Sequence, residues 1–178
     1  MKKLFLIPLT FLFIVSLVNA QDVADLKKKI QAMNDESAKR MLSGDESSMW
    51  DMYTDNVISM PSYEPMLKGL DACKESYKKM KESGMKFTAF KSTVTDVMQS
   101  GKFVIDIGTY ETTMTMPQMG DMPYTDYGKY ITIWEMQDDG SMKILVETWN
   151  TDTNPWMEMQ KMMPPPPPAP EGHEGHQH

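Results

Sequence analysis

Two carboxylates stand where acid–base chemistry would need them. Asp106 is a lone acid inside the apolar run Val104-Ile105-Asp106-Ile107, and Glu147 lies two residues before Trp149 in a second strand-like run. A carboxyl held against apolar or aromatic surface has its charged form disfavoured, which is how a general acid or base is tuned. Each has an ordinary alternative: Glu147 solvated or paired with Lys143, and Asp106 turned outward on a strand edge. Tyr53, Met60, Tyr63, Tyr110, Tyr130, Trp134 and Trp149 have the size and placement to line an apolar pocket, and equally to form plain core. Cys73, on an apolar helical stripe, reads as a buried, inert thiol.

A second chemistry is written in soft ligands. Met114, Met116, Met119 and Met122 fall within nine residues of a Pro/Gly loop, and His173, His176 and His178 close the chain. Thioethers select Cu(I), and imidazoles suit Cu(II), zinc or nickel. This pattern suits an extracytoplasmic copper-handling protein. The competing reading is that methionine merely replaces leucine as filler. In its favour, 20 of the 178 residues are Met, including Met33, Met41, Met49, Met52 and Met80 in helices. Copper is therefore an option, and no cofactor is required.

Composition narrows the remaining classes. The net charge of −7 argues against nucleic acid or an anionic membrane as partner, because both demand clustered Lys and Arg. One cysteine allows no intrachain disulfide and no Cys-based zinc site. All three histidines sit in the last six residues, so Ser-His-Asp and Cys-His nucleophilic machinery cannot work from inside a folded core.

The elements that must position these residues follow from punctuation and periodicity. Residues 1–20 read as a cleaved leader: Met1-Lys2-Lys3, an apolar run from Leu4 to Val18, then the small-residue end Val18-Asn19-Ala20. Cleavage would leave an extracytoplasmic protein, periplasmic or secreted, with no membrane anchor; losing Lys2 and Lys3 takes the net charge from −7 to −9. Residues 21–156 form the domain, and 157–178 a Met-, Pro- and His-rich tail of disordered composition. Val23, Leu26, Ile30, Met33 and Met41 trace one face of a helix that Gly44 ends. A short helix over Ser48 to Tyr53, a brief strand over Val57 to Met60 and a third helix on Leu70, Cys73, Tyr77 and Met80 follow. Then Phe87–Met98, Lys102–Met116, Tyr127–Gln137 and Ser141–Thr151 read as strands of an antiparallel meander, with Asp139-Gly140 as a hairpin signal. Strict alternation puts Lys143, Leu145, Glu147 and Trp149 on one face, and groups Tyr130, Thr132 and Trp134. The class is α+β, three helices on a curved antiparallel sheet.

Gly44-Asp45, Met52-Tyr53-Thr54-Asp55-Asn56-Val57, Met60-Pro61, Lys68-Gly69, Gly128-Lys129-Tyr130 through Trp134, Asp139-Gly140, Lys143-Ile144 and Trp149-Asn150 carry a resemblance. Across Asp22 to Pro155 the chain resembles secreted members of the SnoaL-like, ketosteroid-isomerase-like branch of the nuclear-transport-factor-2-like superfamily. The resemblance implies a cone-shaped domain, commonly a homodimer, holding a small, largely apolar molecule between helices and sheet. It does not settle enzyme against non-catalytic binder or dimeric scaffold, because this fold hosts all of them. In the isomerases an acidic base precedes the proline after the first strand, and a tyrosine of the first helix holds the enolate. The matching positions are Met60 and Ser37, neither of which serves, so isomerisation by that mechanism is disfavoured.

Overall fold

The computed structural model describes residues 20–120, 122–154 and 157. The expected leader and tail lie outside these residues, apart from Ala20 and Met157. Helix α1 (Ala20–Ser43) ends at Gly44, whose φ of 74° suits glycine in the left-handed region. Helix α2 (Glu46–Trp50) is capped by the Asp45 carboxylate, which accepts from the Ser48 backbone N–H. Strand β1 (Tyr53–Met60), the short β2 (Leu67–Lys68) and helix α3 (Leu70–Glu82) follow. The meander is β3 (Lys86–Ser100), β4 (Phe103–Thr115), a single 3-10 turn (Pro117–Met119), β5 (Tyr124–Met136) and β6 (Met142–Thr151).

Six strands form one open sheet in the order β2-β1-β6-β5-β4-β3. The meander is antiparallel as its turns require, but β1 joins β6 in parallel, so the sheet is mixed. The chain can reach that edge because β2 and α3 carry it away from β1 before the meander brings β6 back. Tyr53 opens β1 rather than closing the second helix, which ends at Trp50.

α1 lies along the edge strand β3. β3 carries a register irregularity between Val94 and Asp96. Gln31 takes up backbone groups beside it, accepting from Val94 N (2.9 Å) and donating to Ser92 O (3.0 Å), while Lys27 Nζ donates to Thr95 O (2.7 Å). From Ser92 to Thr95 these side chains take up backbone groups that an edge strand would otherwise offer to another chain. Ile30, Val57, Val94, Val104, Trp134, Met142 and Ile144 fill the core between this helix, α3 and the inner sheet face.

A bulge in β6 decides which side chains face inward. Ile133 pairs with Val146 but Trp134 pairs with Ile144, leaving Leu145 as the extra residue. Strict alternation therefore fails at Leu145. Ile144 belongs to the buried core, and Glu147 shares its inner side instead of continuing a face with Lys143. The inner face reads as mixed in the sequence only when this residue is not skipped.

Candidate functional site

The inner face carries a polar row between two apolar ones. Register places Asp106 opposite Thr132, Thr132 opposite Glu147, and Glu147 beside Ser59 of β1. Asp106, Thr132 and Ser59 are buried, and Asp106 is 0 % exposed. One pair toward the core stand Val104, Trp134 and Ile144; one pair the other way stand Gly108, Tyr130 and Trp149.

Glu147 accepts from Ser59 Oγ at 2.8 Å through Oε1 and from the Tyr53 hydroxyl at 3.2 Å through Oε2. Burial pushes its carboxyl above the usual glutamate range, and the Ser59 and Tyr53 hydrogen bonds only partly offset that. The same burial and the neighbouring carboxylate push the Tyr53 hydroxyl and the Cys73 thiol upward. Asp106 accepts from Asn34 Nδ2 (3.0 Å) and the Tyr130 hydroxyl (3.2 Å), and Asn34 Nδ2 also reaches the Tyr130 oxygen (3.0 Å). The Trp134 indole N–H makes no hydrogen bond of normal geometry, yet it is close enough to help hold the Asp106 charge. Burial still dominates, and the Asp106 carboxyl is raised. Among the described residues neither acid forms an ion pair, so Glu147 is not paired with Lys143. Asp106 is not an outward residue of an edge strand, because β4 is flanked by β3 and β5.

The remaining expected positions separate. Tyr53, Tyr130 and Trp149 are half-buried around the row, and Tyr110 is half-buried farther along the same face. Trp134 is 1 % exposed and belongs to the core, with no surface to offer a ligand. Met60 is displaced: Ser59 faces Glu147, so alternation turns Met60 to the outer face with Ile58 and Thr148. Tyr63 is 77 % exposed on the turn after β1. Met114 lies in β4 opposite Tyr124, Met116 precedes the 3-10 turn, Met119 lies within it and Met122 is 65 % exposed beyond it. Among the described residues no three His, Cys, Asp or Glu side chains gather as a metal site, and His173, His176 and His178 lie outside those residues. Two surface depressions, of about 280 and 360 Å³, are lined by Lys91, Tyr127 and Asp152 and by Glu36, Arg40 and Ser48 respectively, and neither includes Glu147 or Asp106.

Asn34, Ser59 and Thr132 were not apparent as site residues from the sequence. Asn34 had a signal. It falls four residues after Ile30 and four before Ala38, a polar residue set within the buried stripe of α1.

No family model and no curated protein matches the sequence. Solved structures do match. A ketosteroid isomerase-like protein from Erwinia carotovora atroseptica aligns over 76 % of this chain and 100 % of its own, at 16 % identity and a TM-score of 0.62. The fold is nuclear-transport-factor-2-like. The protein Aln2 from a Streptomyces species is similar over 77 % of this chain and 96 % of its own, with 11 % identity and a TM-score of 0.61. A nuclear transport factor 2-like superfamily protein from Salmonella enterica aligns over 74 % and 94 %, at 7 % identity and a TM-score of 0.59. At such identities the likeness speaks for the nuclear-transport-factor-2-like architecture alone, and function must come from the site.

Proposed function

We propose that this chain is an extracytoplasmic small-molecule-binding domain whose ligand lies on the inner sheet face, engaged by Glu147. The observation that carries the reading is a half-buried Glu147 whose carboxyl accepts from two hydroxyls and, among the described residues, pairs with no cation, beside half-buried aromatic surface. A purely structural position would place an apolar side chain there at less cost, since burying a carboxylate is unfavourable unless it is used. The half-buried rings of Tyr130 and Trp149 suit a flat, largely apolar ligand body.

The test is a fluorescence titration of the full chain with 2-naphthol, an apolar ring system bearing one hydrogen-bond donor. Saturable binding is expected, weakened about fivefold or more in Glu147→Gln, the loss of one charge-assisted hydrogen bond. Equal affinity in the two proteins would remove Glu147 from the site.

The outer face supports a second copy of the chain as partner. Met98, Ile105, Ile133, Val146 and Ile58 form one apolar row across five strands, and Ile131 beside it is 42 % exposed. Lys91 opposite Glu111 and Lys143 opposite Glu135 flank the rows with alternating charge, which two identical faces can meet in reverse order. Light scattering is expected to give the mass of two chains, falling to one in Ile131→Lys; a monomeric wild type would end this reading.

A further inference from the structure

The pairing of β3 with β4 ends at Phe87 opposite Met114 and Lys86 opposite Thr115. One step beyond stand Met85 and Met116. The two chains still run side by side there, because the next residues touch: a Cβ on Gly84 would come within 2.7 Å of the Pro117 ring. Met116 keeps an extended backbone, with φ −136° and ψ 130°. Side chains alternate along a strand, so Met114 and Met116 continue the inner face that carries Asp106 and Tyr110. By the same rule Met85 shares the face of Phe87, the partner of Met114. Three thioether side chains are thus brought to one corner of the inner face, each of them half-buried.

The spacing suits a soft metal ion. Opposite residues of an antiparallel pair lie about 5 Å apart at Cα, and residues two apart on one strand about 7 Å. Methionine is unbranched with three rotatable bonds, so sulfurs set at such spacings can converge on one ion. Thioethers are soft ligands, and they select Cu(I). They also carry no proton to lose, so their hold on a metal does not weaken in acid as that of imidazole does. Of the four methionines in the loop pattern, Met122 is exposed beyond the 3-10 turn and stands outside this group. Met85 takes its place from the other side of the pair, which spacing along the chain could not reveal.

We infer that Met85, Met114 and Met116 form a Cu(I) site. It stands apart from the Glu147 row, because β5 lies between β4 and β6, and it does not depend on that row binding a ligand. Met85 closes the site, being the one thioether supplied from the β3 side.

The experiment titrates the full chain with Cu(I) in the absence of oxygen, in competition with the chromophoric chelator bicinchoninate, on both sides of the histidine range. One Cu(I) per chain is expected, held equally well at both pH values. Met85→Leu, Met114→Leu and Met116→Leu conserve volume and are expected to fold, which circular dichroism checks. Each is expected to weaken binding about tenfold or more, since even groups behind a metal ligand are worth that much. Met122→Leu, Cys73→Ala and a variant with His173, His176 and His178 all changed to Ala are expected to bind as the wild type does. Undiminished affinity in Met85→Leu overturns the site. So does Cu(I) binding that disappears in acid, in Cys73→Ala or in the histidine variant, and so does a wild type that takes up no Cu(I).

Discussion

Replacing Gly108 with alanine is expected to destabilise the domain by about 3 kcal/mol, at the upper end for overpacking a filled site. The new methyl would collide with the Tyr130 ring and also with the Thr93 carbonyl, and the second contact is backbone that cannot swing aside. Gly108 pairs with Val94 on one side and Tyr130 on the other, so the strand is held from both edges. Tyr130 would have to leave its place over the glycine, taking its hydroxyl from Asp106 and Asn34. A fall in melting temperature of about 10 °C in a denaturation scan checks this. A variant as stable as the wild type would mean that the tyrosine does not lie across the glycine.

Asp106→Ala is expected to cost a similar amount, about 3 kcal/mol, for a different reason. The substitution leaves the Tyr130 hydroxyl facing no acceptor and leaves the Asn34 amide only the Tyr130 oxygen, with the Trp134 N–H beside them. Asp106→Asn keeps the shape and removes the charge, so it separates packing from ionisation. The folded-state pKa of Asp106 is raised, so the folded protein holds this proton more tightly than the unfolded chain. Stability from that preference is full below the ordinary aspartate range and is lost as pH rises through it to the raised folded value. Urea unfolding of wild type and Asp106→Asn should therefore shift in the variant's favour across that window. A difference that is flat with pH would show that Asp106 titrates as an exposed acid does.

Helices, meander and hairpin were legible because their signals are local. Leu26, Ile30 and Met33 keep helical spacing, and Asp139-Gly140 marks a turn with Gly140 at a φ of 80°. The parallel pairing of β1 with β6 was not legible, since it joins segments far apart in the chain and leaves no turn between them. The site was half legible. Asp106 and Glu147 stood out as acids among apolar residues, and the sequence could not tell buried from solvated. What misled was the period: one extra residue at Leu145 moves Glu147 to the side of Ile144, and no side chain in that run announces it. Met60 failed by the same rule, because a one-residue step exchanges faces and gives the inward place to Ser59. The pattern Asp-x-Gly-x-Tyr-x-Thr stands twice in the sequence, at Asp106–Thr112 and at Asp126–Thr132. Its meaning depends on register, which only the fold supplies.

The most direct measurement is a carbon-13 carboxyl NMR titration of Glu147 in the full chain, with and without 2-naphthol. The predicted midpoint lies above the ordinary glutamate range, as burial requires, and is displaced when the ligand is present. A midpoint in the ordinary range, or one that the bound naphthol leaves where it was, would contradict a ligand site built on Glu147.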